Sequence, residues 1–173
     1  MDATIKNAMP DSDPKHSFDI AERPSQLPWP PILLVILIAA AIVLAYWAPL
    51  PWPGIDDTMA RIIGRGIGII GIGLLAWSIL TLRQAGTTVL PDAGATHLVT
   101  SGPYRRFRNP IYLGDAMILL GAAELTKNAW LVVAAALFAA LVTWLAILPE
   151  ERHLERRFGQ AYLDYKAKSR RWI

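Results

Sequence analysis

Residues 129–148, AWLVVAAALFAALVTWLAIL, form an uncharged and almost wholly apolar run of 20 residues. A helix that crosses a bilayer needs roughly 20 such residues, so this run predicts a transmembrane helix. Residues 31–48 form a second uncharged run of 18 residues, and residues 62–82 form a third that carries only Arg65. Residues 111–123 are apolar apart from Asp115 but cover only 13 positions. The sequence therefore predicts an all-α integral membrane protein with four transmembrane helices.

The chain of 173 residues divides into three regions. Residues 1–30 are polar and rich in proline, which indicates a disordered cytosolic tail rather than a cleavable signal peptide. Residues 31–82 contain the first two predicted membrane helices. Residues 83–173 contain a polar loop, the other two membrane helices and a C-terminal stretch. We expect that stretch to form a cytoplasmic amphipathic helix with a break at Gly159, because apolar residues recur in it at helical spacing: Leu154, Phe158, Ala161, Tyr162 and Tyr165.

The lysines and arginines predict the orientation in the membrane. All but three of the 17 basic residues lie in the N-terminal tail, between residues 83 and 108, or after residue 150. Basic residues beside membrane helices favour the cytoplasm, so both termini and the central loop are expected there. Lipid phosphates account for arginines at helix ends, and nucleic-acid binding is not expected. The chain has no cysteine and its three histidines are scattered, so no metal site is predicted.

The second predicted membrane helix is rich in glycine. Gly66, Gly68 and Gly71 formally match the dinucleotide-binding pattern GxGxxG. That pattern carries meaning only between a β-strand and a helix in a soluble unit. Inside an apolar run, small residues such as Gly64 and Gly68 instead indicate close packing of two helices.

Residues 98–114, LVTSGPYRRFRNPIYLG, lead from the polar loop into the third membrane helix. Asn109 suits the N-cap and Pro110 suits the first helical position. The third helix is about five residues shorter than its partner, so its start would lie roughly 7 Å deeper in a tight hairpin. We therefore expect a recess at the cytoplasmic face, with residues 108–112 at its floor and Glu150 on its wall.

One combination of motifs resembles a known family. Gly-Pro-Tyr-Arg-x-x-Arg-Asn-Pro-x-Tyr-x-Gly at residues 102–114 is followed by Glu150-Glu151 and by Phe-Gly-x-x-Tyr-x-x-Tyr at residues 158–165. This resembles the isoprenylcysteine carboxyl methyltransferase family, whose wider group includes the phospholipid N-methyltransferases. The resemblance covers roughly residues 85–172 and implies a membrane methyltransferase that uses S-adenosylmethionine. Carried over by position, it assigns cofactor binding to Thr96, His97, Leu98, Val99, Tyr104, Asn109, Pro110, Ile111, Tyr112 and Glu150.

The chain departs from the family pattern at two positions. Eukaryotic members usually have His where this chain has Asn109, and an arginine for the substrate carboxylate where it has Ala146. The departures leave the cofactor assignment standing and weaken the assignment of a prenylcysteine substrate. No catalytic residue is fixed, and four side chains are candidates: Asn109, Tyr112, Asp115 and Glu151.

The residue types at these positions suit the cofactor's groups. The positive N-terminal end of the third helix, with Arg105, Arg106 or Arg108 nearby, would favour the cofactor's carboxylate. Glu150 is able to accept from ribose hydroxyls or from the ammonium group. The rings of Tyr104 and Tyr112 are able to stack on adenine or to face the sulfonium.

The function expected from the sequence is methyl transfer from S-adenosylmethionine to a lipophilic small molecule or lipid in the membrane. Two alternatives remain open. One is a membrane reductase of the sterol-reductase type, in which the loop arginines would hold the 2′-phosphate of NADPH. The other is a membrane scaffold without catalytic activity.

Overall fold

A computed structural model describes residues 29–54, 57–86 and 98–173. Within these ranges the chain is helical and contains no β-strand. The helices are α1 Trp29–Trp47, α2 Thr58–Gln84, α3 Pro110–Thr126, α4 Ala129–Val142, α5 Leu148–Phe158 and α6 Gln160–Lys168. A 3-10 turn at Gly102–Arg105 precedes α3, and a π-helical segment at Thr143–Ile147 joins α4 to α5.

Three helices in the described ranges are long and apolar enough to cross a membrane: α1, α2 and the continuous helix Ala129–Phe158. They correspond to the first, second and fourth predicted membrane helices. Outward-facing apolar side chains such as Val35 and Ile69, which are 66% and 69% exposed, suit contact with lipid. Helix α3 has 17 residues, and its crossing of the membrane stays a prediction. The predicted disordered tail lies outside the described residues apart from Trp29 and Pro30, which begin α1 instead.

Helix α3 begins at Pro110 with Asn109 at the N-cap position, as the sequence predicts, but the Asn109 side chain makes no capping hydrogen bond. The Asn109 amide nitrogen donates instead to the carbonyl oxygen of Arg171 at 3.1 Å. A contact 62 positions away along the chain therefore takes the place of the local cap. At the other end, Asn128 caps α4 by accepting from the backbone N–H of Trp130 at 3.0 Å.

Glycines bring α2 and α3 together. A Cβ built on Gly121 would lie 2.4 Å from the Cα of Gly68, and a Cβ built on Gly71 would lie 2.9 Å from the Gly114 carbonyl oxygen. No side chain fits between backbones this close. Nothing lies within 4 Å of the Cβ position at Gly66. The packing interpretation of Gly68 is confirmed. Of the three glycines in the formal nucleotide pattern, Gly68 and Gly71 contact α3, and Gly66 faces away from it.

The junction between α4 and α5 is set by Pro149. Proline has no backbone N–H, and its ring would crowd the carbonyl of Leu145 in a regular α-helix. The preceding residues form one π-helical turn, in which the N–H of Leu148 donates to the Thr143 carbonyl five positions back. The helix therefore continues through Pro149, and the inserted turn changes the face on which Glu150 and Glu151 lie.

The C-terminal stretch forms two helices rather than one. Gly159 has a φ of +53° and ends α5, so the predicted break is confirmed. Tyr162 is buried, as its apolar spacing predicts, whereas Ala161 is exposed. The position of α5 and α6 relative to a membrane surface stays a prediction.

The glycine contact can be tested with a matched pair of variants. Gly121→Ala forces α2 and α3 apart, because its Cβ would lie 2.4 Å from the Gly68 Cα. We expect a loss of about 1–3 kcal/mol, measured as a lower midpoint of thermal unfolding in detergent. Gly73→Ala is the control, since nothing lies within 4 Å of its Cβ position. We expect its midpoint to be unchanged or slightly higher. Equal midpoints in the two variants would contradict the packing interpretation.

Candidate functional site

The turn before α3 is held by the end of the chain. Phe107 and Arg170 form a parallel bridge, in which the N–H of Arg108 donates to the Arg170 carbonyl at 2.7 Å and the N–H of Arg170 donates to the Arg106 carbonyl at 2.8 Å. The last residues of the chain, 169–173, form the C-terminal segment. This segment therefore fixes the backbone that leads into Asn109 and α3.

The Glu151 carboxylate and two arginines stabilise the same turn. Glu151 accepts from Arg108 Nε at 3.1 Å, from Arg171 Nε at 3.0 Å and from Arg171 Nη2 at 2.7 Å. Arg108 also donates through Nη1 to the Ser169 carbonyl at 2.5 Å and to the Lys166 carbonyl at 3.1 Å. Glu151 and Arg108 are buried, so these charges are stable only as a paired set. Their hydrogen bonds join α5, the turn before α3 and the C-terminal segment.

The C-terminal segment also reaches the π-helical turn. The indole N–H of Trp172 donates to the hydroxyl of Thr143 at 3.2 Å, and the ring packs against the buried apolar core. Trp172 thus fills space beside the start of α3 and the end of α4.

Four polar side chains at this end of the molecule have no hydrogen-bond or ion-pair partner among the described residues. They are the hydroxyls of Tyr104 and Tyr112 and the carboxylates of Asp115 and Glu150, and together they are called the polar recess. The Tyr112 hydroxyl interacts electrostatically with the other three groups, which places the four in one neighbourhood. Tyr104 and Tyr112 are buried and Asp115 and Glu150 are half-buried, yet the polar atoms of the four groups are not fully enclosed. They are therefore open to hydrogen bonds from a bound ligand.

The tyrosines around the polar recess remain neutral at physiological pH. Burial, followed by the charge of Glu150, raises the pKa of Tyr104 above its usual range. Burial raises the pKa of Tyr165 to about 12, and its hydroxyl donates to the Tyr104 carbonyl at 2.7 Å. Tyr162 has a pKa raised mainly by burial, and its buried hydroxyl finds no partner among the described residues. The neutral Tyr104 hydroxyl is therefore able to donate to a ligand.

The structure brings together much of the site expected from the sequence. Tyr104, Tyr112 and Glu150 of the expected cofactor-binding set share the polar recess with the catalytic candidate Asp115. Pro110 is buried, and the remaining described members are partly buried: Leu98, Val99, Asn109 and Ile111. Thr96 and His97 lie outside the described residues, so their assignment stays a prediction.

Three of the expected polar residues are engaged elsewhere. The Asn109 amide nitrogen and the Arg108 guanidinium donate to the C-terminal segment. Both carboxylate oxygens of the catalytic candidate Glu151 accept from arginines. This side chain therefore joins α5 to the turn before α3 and to the C-terminal segment. The carboxylate of Glu150, one position earlier, has no hydrogen-bond or ion-pair partner among the described residues. The structure thus separates the roles of two adjacent glutamates.

The residues that sequence reasoning missed belong to the C-terminal segment. Ser169, Arg171 and Trp172 hold Arg108, Glu151 and Thr143, yet the sequence offered only a basic C-terminus expected to face the cytoplasm. No periodicity marks them, because they contact residues 20 to 61 positions away. A tryptophan after two arginines in a polar terminus was the one available signal.

Comparison with known proteins identifies the family. A model of the phospholipid methyltransferase family matches residues 59–161, which is more than half of the chain. The chain belongs to the phospholipid methyltransferase family. The match contains the whole polar recess and ends before the C-terminal segment. Family membership confirms the wider group to which the sequence resemblance points.

One similar protein is named for resistance to metals. The nickel-cobalt-cadmium resistance protein NccN of Alcaligenes xylosoxydans xylosoxydans is 26% identical over 138 residues, which are 79% of this chain. The matched part is 58% of that protein's length. No solved structure matches the chain significantly. In residues 29–54, 57–86 and 98–173, no group of three or more His, Cys, Asp or Glu side chains is placed to hold a metal ion.

Removal of the Glu151 charge tests whether its bonds to Arg108 and Arg171 hold the C-terminal segment in place. Glu151→Gln leaves Arg108 buried without a counter-charge, and we expect a loss of about 2–4 kcal/mol because Arg171 is partly exposed. Hydrogen exchange measured by mass spectrometry should become faster in residues 160–173. Glu155→Gln is the control, because its ion pair with Lys166 is about one-third exposed and should contribute under about 1 kcal/mol. Similar exchange in the two variants would show that Glu151 does not hold the C-terminal segment.

Proposed function

We propose that this protein is an integral membrane methyltransferase that uses S-adenosylmethionine and methylates a lipophilic or membrane-presented acceptor. The observation that carries the proposal is the polar recess, whose four unpartnered groups all lie inside the part of the chain that matches the phospholipid methyltransferase family. Membership in this family favours methyl transfer over the reductase and scaffold alternatives.

The chemistry of the polar recess suits the proposed cofactor. S-adenosylmethionine, when bound, supplies a methyl group on a positively charged sulfur. The carboxylates of Glu150 and Asp115 favour a cationic ligand, and they are able to accept from ammonium or hydroxyl groups. The neutral hydroxyl of Tyr104 adds a donor. The Asn109 side chain does not cap the N-terminus of α3, and the positive end of this helix would favour a ligand carboxylate.

The two adjacent glutamates have complementary roles in this proposal. Glu151 holds the turn, α5 and the C-terminal segment in one arrangement through its bonds to Arg108 and Arg171. Glu150 is then presented to the polar recess by the same helix. Because methyl transfer requires alignment of donor and acceptor, this positioning accounts for much of the expected rate enhancement.

The wall beside the polar recess suits an apolar acceptor. Ala146 is buried in the apolar core at the position where the resemblance places a substrate-binding arginine. A carboxylate acceptor would find no counter-charge from this residue. We therefore propose a lipophilic acceptor without assigning its reacting atom, and incubation of membranes with methyl-labelled S-adenosylmethionine followed by lipid extraction identifies it.

Cofactor binding depends on Glu150 in this proposal. We expect Glu150→Gln to weaken S-adenosylmethionine binding by about tenfold to a hundredfold, since hydrogen bonds to a charged group contribute about 1.5–3 kcal/mol. Isothermal titration calorimetry on the detergent-solubilised protein measures this effect. Asp164→Asn, on the exposed part of α6, is the control and should bind like the unmodified chain.

Parallel titrations separate the three candidate functions. Binding of S-adenosylmethionine that Glu150→Gln weakens supports the methyltransferase. Binding of NADPH in its place would support the reductase. If neither compound binds, the proposal fails and the scaffold remains.

Asp115 is expected to act on the reaction more than on the cofactor. It lies one turn along α3 from Tyr112 in the polar recess, and its carboxylate has no described partner. We expect Asp115→Asn to lower the rate of methyl transfer at least about tenfold while the dissociation constant for S-adenosylmethionine changes less than about threefold. Methyl-labelled turnover and calorimetry measure the two quantities. Unchanged turnover would remove Asp115 from the list of catalytic candidates.

A further inference from the structure

A basic cavity lies outside the polar recess. It has a volume of about 510 Å³ and is lined by Gly102, Arg105, Arg106, Lys168 and Arg170. Four of these five residues carry a positive charge, and no acidic residue lines the cavity. None of the lining residues belongs to the polar recess. The volume is in the range of cavities that hold small molecules.

The backbone holds these charges together. Arg105 and Arg106 come from the turn before α3, and Lys168 and Arg170 come from the end of the chain. The bond from the Arg170 N–H to the Arg106 carbonyl, at 2.8 Å, fixes the two segments side by side. Like charges held in one cavity repel each other, so an anion in the cavity would be stabilised.

Neighbouring cations in the same segments have acidic partners, whereas the lining cations have none among the described residues. Arg108 and Arg171 pair with Glu151, and Lys166 pairs with Glu155. The lining side chains are exposed. This contrast separates the cavity from an ordinary charged surface, in which positive and negative groups alternate.

The cavity adjoins the end of a helix that is long and apolar enough to cross a membrane. Gly102, which has a φ of +57°, lies against the last turns of α2: a Cβ built on it would be 2.7 Å from Thr81 Oγ1 and 3.4 Å from Trp77 Nε1. Trp77 is exposed, as interfacial tryptophans are. The ends of such helices lie at the level of lipid phosphates.

We propose that the basic cavity binds the phosphate group of an anionic phospholipid. The guanidinium of arginine matches phosphate oxygens with two parallel hydrogen bonds, and Lys168 adds a point charge. The position at the end of α2 favours a phosphate carried by a lipid over free phosphate in solution. This phosphate site is distinct from the polar recess, and its proposed role is additional to the proposed methyl transfer. It would hold the turn before α3 at the membrane surface.

The experiment uses the full chain in detergent and native mass spectrometry. Dioctanoyl phosphatidylglycerol, dioctanoyl phosphatidylcholine and inorganic phosphate are the three probes. We expect tighter binding of phosphatidylglycerol than of phosphatidylcholine, and Lys168→Gln/Arg170→Gln should weaken phosphatidylglycerol binding about tenfold. Arg105→Gln/Arg106→Gln tests the other segment and should give the same result. Arg152→Gln/Arg156→Gln removes the same charge from the exposed surface of α5 and should change binding less than about twofold.

The outcomes decide both the site and the source of the phosphate. An equal loss in the cavity variants and in the α5 control would overturn the proposal, because diffuse charge would then explain the binding. Equally tight binding of phosphatidylglycerol and phosphatidylcholine would overturn the proposal as well. If inorganic phosphate binds in a cavity-dependent way while phosphatidylglycerol does not, the lipid assignment is wrong. Unchanged S-adenosylmethionine binding in Lys168→Gln/Arg170→Gln would support a separate site and show that this variant remains folded.

Discussion

The carboxylate of Glu151 joins three parts of the chain that are far apart in sequence. It accepts from Arg108 before α3 and from Arg171 near the C-terminus, while its own backbone belongs to α5. Buried charges of this kind are costly unless each is paired, so the three residues must come together or separate as a set. The position of α3 relative to α5, and with it the polar recess, depends on this set.

A second constraint comes from backbone chemistry inside an apolar helix. Pro149 interrupts the hydrogen-bond pattern, and the π-helical turn before it restores continuity without ending the helix. One residue inserted in a helix rotates all later residues of that helix by about 100°. With this turn in place, Glu151 bonds to the two arginines, whereas Glu150 has no hydrogen bond or ion pair among the described residues. Thr143, in the same turn, receives the indole N–H of Trp172, so the end of the chain also contacts the irregular turn.

The glycine pattern shows how local sequence and packing combine. Gly68 and Gly121 allow the backbones of α2 and α3 to approach, and Gly66 faces away from the contact. A pattern search would treat Gly66 and Gly68 alike. The difference between them comes from the helical period, which places only one of them toward α3.

The apolar helices, the start of α3 at Pro110, the break at Gly159 and the family follow from the sequence alone, because each depends on residues that are local or spaced at a fixed helical interval. The sequence also named Tyr104, Tyr112, Asp115 and Glu150. It assigned Glu150 to the cofactor and left Glu151 a catalytic candidate, but it could not find the partners of the Glu151 carboxylate or of the Asn109 amide, since both bond to the C-terminal segment. These partners become visible only in the folded chain. Buried polar groups must find partners, and which partners are within reach depends on how the chain packs.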